Sequence, residues 1–442
     1  MKGFQDSNKN NKNIKKGKNG NGVNENLNLF NKAKNAQNRG DFVQAAKIYN
    51  ILLGKNYRTE QFFLNYGLVC QNLKDTNSAI SLFKEAIKIN PNNFIPFFKM
   101  GFVLNNKNKF YEAYPFAKKA IDLNPNLWQG YHNLIKILIN LNRPNEAINI
   151  ARNAKNLFSD NYLFSNLLGE IFCSIGNFEE AEKFYKISIS LAPNHDEALY
   201  SFAYFLMGIG NKKASIKLLH KALDKNPYHS LSYFSLSKMI NIEKNQDLKN
   251  KIIALKISNF KTNEDRFNIL FTKADIYHKQ KEFKKSSDFL KQANDLKLID
   301  KPSNIKEVIK LSANVKDKTY LDKSFDKTKF EYLRDIFIVG LPRSGSTLVE
   351  SIIGMNKEVH NLGENGILRN ALVESEKSFF SNMDEIYLKY SQEFSPKKYL
   401  TNKMLSNYMY IPHILTKLRH SKVIYTFRNP LDNLLSMYKA KF

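Results

Sequence analysis

Cysteine is scarce in this sequence, and long apolar runs are missing. The 442 residues include only two cysteines, Cys70 and Cys173. Each lies in an apolar context that favours a helix, and the pair lacks the short spacing typical of metal ligands. We therefore predict two reduced thiols in the core of a cytoplasmic protein. No stretch of about 18 apolar residues occurs, so we predict no membrane-spanning helix.

The N-terminus lacks the apolar segment of a secretion signal. The stretch "MKGFQDSNKNNKNIKKGKNGNG" carries charge, but Asn, Lys and Gly dominate it. These residue types cannot form a hydrophobic core. We therefore predict that residues 1–25 are disordered.

Acidic residues are few beside the basic ones. The chain has 68 Lys and Arg against 41 Asp and Glu, which gives a formal net charge of +27. This charge favours anionic partners such as nucleic acid, a membrane surface, or ligands that bear phosphate or sulfate. The alternative is a bias of composition, since Lys, Asn, Ile and Phe are abundant throughout, as an AT-rich genome would encode. The basic residues are spread along the chain and do not form one block, so we predict no nucleic-acid partner.

Small residues recur at an interval of 34 residues. The recurring positions are Ala45, Ala79, Ala113, Ala147 and Ala181, then Gly67, Gly101 and Gly169, and also Pro91, Pro125, Pro193 and Pro227. Two antiparallel helices approach closely only where a side chain is a hydrogen atom or a methyl group, and proline ends a helix. The pattern resembles the tetratricopeptide repeat, which forms one helix–turn–helix in each unit.

Six complete units of this repeat follow one another. They begin near Asn26, Glu60, Phe94, Trp128, Tyr162 and Asp196, and a seventh unit that starts at Ser230 is degenerate. A divergent helix pair follows at Phe271–Lys297. One helix pair cannot bury its own apolar face, so the units must stack into a superhelix with a concave groove. We predict a tetratricopeptide solenoid over residues 26–300.

The pattern changes after a polar connector at residues 301–331. The stretches "DIFIVG" and "KVIYTF" have the composition of buried strands, and "YIPHILTKLRHS" between them favours an amphipathic helix. Pro430 suits the first turn of a further helix. Strands that alternate with helices predict an α/β domain with a parallel sheet over residues 332–442.

A glycine-containing loop follows the first strand of this domain. The stretch "IFIVGLPRSGSTLVESI" nearly matches the P-loop pattern G-x-x-x-x-G-K-[ST], but Ser346 stands in place of the lysine. Free N–H groups of residues Arg343–Thr347 and the helix dipole create an anion site; the alternative is an ordinary strand–helix turn. The sequence lacks the P-loop lysine and also lacks an evident Mg²⁺-binding Asp. Both absences disfavour a Mg-dependent NTPase. A sulfuryl group, which has less charge than a terminal phosphoryl group, suits this loop.

The loop "GLPRSGSTLVESI" resembles the 5'-phosphosulfate loop of sulfotransferases that use 3'-phosphoadenosine 5'-phosphosulfate (PAPS). Its Arg-containing form is similar to tyrosylprotein sulfotransferases and to bacterial proteins that fuse tetratricopeptide repeats to a sulfotransferase domain. In that family an Arg and a Ser eight residues later grip the 3'-phosphate, and "YTFRNPLDNLLSMY" supplies Arg428 and Ser436. The resemblance implies PAPS as co-substrate, without a metal. It implies that the donor-binding residues are Arg343, Ser344, Gly345, Ser346, Thr347, Arg428 and Ser436.

Two further stretches resemble the family's catalytic motifs. "HNLGENG" places Glu364 where the family has its general base, and "LTNKMLSNY" resembles D-K-M-P-x-N-F, with Lys403 and Asn407 in place. The resemblance implies that Glu364, Arg343 and Lys403 are catalytic. The alternatives are a helix N-terminal carboxylate for Glu364 and a solvated strand-end lysine for Lys403.

The sequence departs from the family pattern at several positions around these motifs. They are Asn402 for Asp, Leu405 for Pro, Tyr408 for Phe, Phe427 for Arg and Asn429 for Asp. The anion-binding residues are unaffected, and the changes bear on the local structure around Lys403.

These features predict a cytoplasmic, PAPS-dependent sulfotransferase that moves a sulfuryl group to an acceptor hydroxyl. Its repeats would recruit the acceptor, a peptide, a protein or a glycan, in their groove. One alternative is a repeat-based binding scaffold with an inactive or incomplete sulfotransferase domain, and another is a P-loop kinase or nucleotide-binding protein. The chain stops six residues after Ser436, within a predicted helix. We therefore also predict a C-terminally truncated domain with little activity.

Overall fold

The computed structural model of this chain describes residues 20–241, 244–300, 302–303, 305–306, 309, 335–376, 382–394, 397, 399–418 and 421–440. The chain divides into two compact units, residues 1–133 and residues 134–442. The first 19 residues of the predicted disordered segment lie outside the described residues. Most of the predicted connector, residues 301–331, also lies outside them.

The first unit holds the beginning of the helical repeats. Its helices are α1 (Gly20–Asn38), α2 (Phe42–Gly54), α3 (Glu60–Asn72), α4 (Thr76–Ile89), α5 (Phe94–Asn106), α6 (Phe110–Leu123) and the start of α7 (Trp128–Asn140). Helix α1 includes residues 20–25, so the prediction of disorder is wrong for these six residues. These residues contain no proline, and Phe30 and Ala33 further along α1 are buried, so the helix extends backwards from a packed face.

Small side chains allow the helices of each pair to pack closely. The recurring alanines Ala45, Ala79 and Ala113 are fully buried. At Gly67 a Cβ atom would lie 2.6 Å from the ring of Phe83 on the next helix. Glycine is therefore required at this close approach, as the repeat pattern predicts.

The second unit begins with the remaining repeats. Its helices are α8 (Pro144–Leu157), α9 (Tyr162–Ser174), α10 (Phe178–Leu191), α11 (Asp196–Gly208), α12 (Lys212–Lys225), α13 (Ser230–Met239), α14 (Gln246–Ala254), α15 (Asn263–Lys279) and α16 (Phe283–Asp300), with a 3₁₀ turn at Ile257–Asn259. Helices α9, α11 and α13 begin at Tyr162, Asp196 and Ser230, where the sequence predicts repeat units to start. Helices α15 and α16 form the divergent pair predicted at Phe271–Lys297.

A small parallel sheet follows the repeats in the same unit. Its strands are β1 (Ile336–Gly340), β2 (Val359–Asn361), β3 (Tyr399–Asn402) and β4 (Lys422–Thr426), in the order β2-β3-β1-β4. The helices are α17 (Ser346–Ile353), α18 (Ile367–Ser375), α19 (Met383–Gln392), α20 (Ile411–Lys417) and α21 (Pro430–Tyr438), with a 3₁₀ helix at Leu405–Tyr410. The predicted fold class, a helical repeat solenoid followed by a parallel α/β domain, is confirmed.

The register of the sheet brings three loops to one edge. Strands β1 and β3 are the interior strands, with Gly340 of β1 opposite Thr426 of β4 and Phe337 of β1 opposite Asn402 of β3. All these pairings are parallel, so the carboxyl ends of the strands meet at one edge, which is where α/β folds place their ligands. Phe337 also packs in a core with Tyr387 and Ile414 from the covering helices.

The structure also locates the two thiols. Cys70 and Cys173 are both free; Cys70 is buried as predicted, whereas Cys173 is only partly buried, so its predicted place in the core is wrong. Burial, with a smaller effect of Asp75, raises the pKa of the Cys70 thiol to about 11, so this thiol is protonated and poorly nucleophilic at neutral pH. Across the described ranges, no helix has the length and apolar character needed to cross a bilayer.

Candidate functional site

The loop after β1 has the backbone of an anion site. Gly340 has φ 149°, and a Cβ atom there would collide with the carbonyl oxygen of Thr426 and lie 2.6 Å from its Oγ1. Gly345 has φ 95° and precedes α17, and Arg343 has φ 67°. These left-handed residues curl the chain around the start of α17. The first N–H groups of that helix have no partner within the helix and carry its positive dipole end.

The neighbouring strand β4 holds this loop in place. Ser344 Oγ lies 2.7 Å from Thr426 Oγ1, and Thr426 Oγ1 donates a hydrogen bond to the carbonyl oxygen of Val339 at 3.2 Å. Because Thr426 donates to Val339, Ser344 donates to Thr426. The sequence analysis missed Thr426; its signal is a hydroxyl residue at the end of a predicted strand, two residues before Arg428. The prediction that this strand is buried is wrong: β4 lies at the edge of the sheet, and only Thr426 of its residues is buried.

Helix α21 brings the second predicted motif to the loop. Arg343 Nε donates a hydrogen bond to Ser436 Oγ at 3.1 Å, and Asn433 Nδ2 donates to the carbonyl oxygen of Pro342 at 2.9 Å. The Asn429 side chain caps the helix by accepting the N–H groups of Leu431 and Asp432. The departure from Asp at position 429 therefore keeps an N-cap function.

A pocket of about 560 Å³ opens between this loop and the repeat helices. Arg343, Arg428 and Ser436 line one side, and residues of α13 and α15 line the other. Among the described residues that line it, four are basic and two are acidic. Arg428 is half exposed, and its Nη2 lies 3.9 Å from the carboxylate of Asp432, so its guanidinium is accessible to a ligand.

A second group of predicted residues lies at the ends of β2 and β3. Lys403 Nζ is 2.5 Å from Glu364 Oε1; the side chain of Lys403 is 7% exposed, whereas that of Glu364 is 60% exposed. A buried ammonium group requires such a partner. Lys403 is therefore not the solvated strand-end lysine considered as an alternative. One carboxylate oxygen of Glu364 contacts Lys403, and the rest of the side chain is exposed to solvent.

Glu350 of α17 helps to position the loop that carries Glu364. Its buried Oε1 accepts hydrogen bonds from the backbone N–H of Gly363 at 3.0 Å and from Thr401 Oγ1 at 2.8 Å. These bonds fix the loop that carries Glu364 against the first helix of the domain. The sequence analysis did not identify Glu350, although a lone acidic residue in the apolar stretch "TLVESII" was a visible signal.

Near Lys403, where the sequence departs from the family pattern, three buried asparagine side chains are linked by hydrogen bonds. Asn402 Nδ2 donates to Asn365 Oδ1 at 3.3 Å, and Asn407 Nδ2 donates to Asn402 Oδ1 at 3.0 Å. Asn365 Oδ1 also accepts the N–H of Ile367 at the start of α18. Asn402 thus both donates and accepts, which a carboxylate could not do, and the loop order around Lys403 is retained.

The predicted site residues therefore form two neighbouring groups on adjacent loops of one sheet edge. Arg343, Arg428 and Ser436 share the pocket, while Glu364 and Lys403 form an ion pair outside its lining. Gly345 is the N-cap of α17, Ser346 and Thr347 begin that helix, and Ser344 bonds to Thr426. Within the described residues, no cluster of three His, Cys, Asp or Glu residues is arranged to hold a metal ion.

Known families match both parts of the chain. The sulfotransferase domain family matches residues 333–442. Tetratricopeptide repeat families match residues 60–93, 166–197 and 267–299. The chain therefore joins tetratricopeptide repeats to a C-terminal sulfotransferase domain, which confirms the predicted combination.

The individual proteins that resemble this chain share only low sequence identity with it. An uncharacterized protein of Aquifex aeolicus (strain VF5) is 28% identical over 131 residues, which cover 25% of this chain and 17% of that protein. The match thus spans about a sixth of that relative. Among solved structures, YrrB, "a TPR protein with an unusual peptide-binding site", is 18% identical with a TM-score of 0.34, covering 43% of this chain and 98% of its own. MamA from Desulfovibrio magneticus RS-1 is 15% identical with a TM-score of 0.35, covering 38% of this chain and 96% of its own.

Proposed function

We propose that this chain is a PAPS-dependent sulfotransferase whose repeats recruit the acceptor. The observation that carries the proposal is the hydrogen bond between Arg343 and Ser436 at the rim of one pocket. These residues are 93 positions apart in sequence, and each belongs to a motif that resembles one end of the PAPS site. Their contact supports one ligand that reaches from the loop to α21.

The charges in the pocket favour a nucleotide with a 3'-phosphate. The loop Arg343–Thr347 offers N–H groups, hydroxyls and one guanidinium to the 5'-phosphosulfate. Arg428 and Ser436 offer a guanidinium and a hydroxyl to the 3'-phosphate. ATP and ADP lack that phosphate, so these two side chains select PAPS.

The chemistry assigned to the second group is proton transfer. Glu364 accepts the proton of the acceptor hydroxyl as its oxygen forms a bond to the sulfur of PAPS. The bond from sulfur to the bridging oxygen of the 5'-phosphate breaks, and that oxygen keeps the electron pair. Arg343 stabilises the charge that develops there, and Lys403 fixes the carboxylate of Glu364. A positioned base contributes about 10²–10⁴-fold to such a reaction.

The acceptor is proposed to bind the repeats. Tetratricopeptide repeats are protein-interaction modules, and stacked units of this type present extended surfaces to peptides. A peptide or protein acceptor is therefore favoured, and a glycan is the second candidate. The net charge of +27 favours acidic acceptors through long-range attraction.

Donor binding tests this proposal without knowledge of the acceptor. Calorimetric titration of the chain without Mg²⁺ should show tighter binding of 3',5'-bisphosphoadenosine than of ADP. Arg428→Ala should reduce that preference by about tenfold or more, because a charge-assisted hydrogen bond to the 3'-phosphate is lost.

The matched control is Arg369→Ala, which removes an exposed arginine of α18 that is not in the pocket lining. It should leave both affinities unchanged. Equal affinity of the unmodified chain for the two nucleotides would contradict the proposed function.

A further inference from the structure

The pocket has a wall that belongs to the repeats, not to the sulfotransferase domain. Lys238 and Phe234 from α13 and Asp275 from α15 line it opposite Arg428 and Ser436. Building on the proposed function, we propose that Lys238 of the repeat domain is a ligand of the donor's 3'-phosphate. The repeats would then form part of the nucleotide site in addition to recruiting the acceptor.

Lys238 is placed and charged for this role. Its side chain is 47% exposed, and its Nζ lies 3.1 Å from Asp275 Oδ1 and 5.5 Å from the centroid of the Phe234 ring. Phe234, one helical turn earlier, supports the aliphatic part of the lysine and limits where its ammonium group can point. The ammonium group is therefore held at the pocket surface and is still accessible to a ligand.

A second lysine makes Lys238 available. Lys279 Nζ lies 3.0 Å from Asp275 Oδ2, so one carboxylate is paired with two ammonium groups. Burial opposes ionisation of Asp275, but the two lysines outweigh it and hold the pKa of this carboxyl below its ordinary value. When Lys238 turns to an anion, Lys279 still neutralises Asp275, and no buried charge is left unpaired.

The helix that carries Ser436 is attached at its end to repeat helices α15 and α16. Asn294 Nδ2 of α16 donates to the carbonyl oxygen of Tyr438 at 3.2 Å, and Lys439 Nζ lies 2.9 Å from His278 Nε2 of α15. These contacts tie the end of α21 to the repeats. The two walls of the pocket are thus held together by direct hydrogen bonds.

The charge of the ligand requires a further cation. A phosphate monoester carries close to two negative charges at neutral pH, and Arg428 supplies one positive charge, part of which Asp432 offsets. Ser436 contributes only a hydroxyl. The lining also holds Arg343 and Lys439, but Arg343 is assigned to the 5'-phosphosulfate, and Lys439 Nζ is paired with His278 Nε2. Lys238 supplies the further charge, and lysine is a common phosphate ligand.

Titration of lysine variants with 3',5'-bisphosphoadenosine and ADP tests the assignment. Lys238→Ala should weaken binding of the bisphosphate by about tenfold and leave ADP nearly unchanged, as expected for loss of one charged hydrogen bond. Lys221→Ala, which removes an exposed lysine of α12, is the matched control and should change neither affinity.

The variant Asp275→Asn gives an effect of opposite sign. It removes the carboxylate that competes with the phosphate for Lys238, so binding of the bisphosphate should become several-fold tighter. If the Lys238–Asp275 pair only supported the fold, this variant would weaken binding or leave it unchanged. That result would overturn the assignment even if Lys238→Ala failed to fold.

The outcomes also separate this inference from the proposed function. If Arg428→Ala lowers the preference for the bisphosphate but Lys238→Ala does not, the repeat contribution is refuted and the donor site stands. If the unmodified chain shows no preference for the bisphosphate over ADP, the proposed function fails, and the assignment of Lys238 fails with it.

Discussion

Arg343 has a backbone conformation that few residues other than glycine adopt. Its φ of 67° is less favourable for a side chain with a Cβ atom than for glycine, although Lys74 and Lys281 adopt similar values in turns between repeat helices. From this conformation the guanidinium reaches Ser436. The sequence predicts Arg343 as a ligand through its motif, but the contact with Ser436 could not be predicted because it depends on how α21 packs.

Asp335, just before β1, is a buried carboxyl that makes stability depend on pH. Burial raises the pKa of its carboxyl from 3.8 to about 6, against the opposing effect of the Tyr387 hydroxyl. The folded state therefore favours the protonated form. The stability from this group is present below about pH 4 and is lost as the pH rises through about 6.

Asp335→Asn should therefore stabilise the sulfotransferase domain at neutral pH. The ionised carboxylate costs about 3 kcal/mol above its folded pKa, from a shift of about two units. Thermal melts near pH 4 and near pH 8 should show a higher melting temperature for the variant only at the upper pH. Asp288→Asn, at an exposed position, is the control. An equal effect of Asp335→Asn at both pH values would show that its ionisation does not limit stability.

At the scale of elements, the loop between β1 and α17 depends on its glycines. Gly340 lies where β1 and β4 approach each other, and its φ of 149° disfavours a side chain. Gly340→Ala should therefore push Thr426 away and destabilise the domain by more than about 1 kcal/mol. Because Thr426 holds Ser344, binding of 3',5'-bisphosphoadenosine should also be lost.

A melt of the domain and a titration with the bisphosphate check this prediction. Gly54→Ala is a suitable control, since a Cβ atom there would meet no atom within 4 Å. Normal nucleotide binding by Gly340→Ala would show that the close approach to β4 is not needed for the loop.

Pattern predicts the long elements of this chain better than the short ones. The repeat helices α9, α11 and α13 start at predicted residues because small residues mark each unit. Strands β2 and β3 contain only three and four residues, too few for a clear alternation of apolar and polar positions. Glu350 and Thr426 were missed for a related reason: their roles are to position neighbours, and they belong to no recognised motif.

At the scale of the whole molecule, the second unit joins repeats and sulfotransferase domain directly. Arg143, which precedes α8, donates to Glu374 Oε2 at 3.3 Å and to the Tyr390 hydroxyl at 3.0 Å. Tyr390 also donates to Glu374. Glu374 and Tyr390 lie more than 200 positions after Arg143 in the sequence. No local sequence pattern could therefore predict these contacts. Repeat residues Lys238 and Asp275 also line the pocket, and the sequence pattern does not predict this.

The central proposal is that this chain transfers a sulfuryl group from PAPS. The most direct measurement is transfer of radiolabelled sulfur from PAPS to a mixed pool of peptides and, separately, of glycans. We expect a small but measurable transfer of label to the peptide pool, and a loss of at least tenfold in Glu364→Gln, which removes the base, with donor binding unchanged. Glu358→Gln, at an exposed position, should transfer label normally. A chain that binds PAPS tightly but labels neither pool would contradict the claim and favour a binding scaffold.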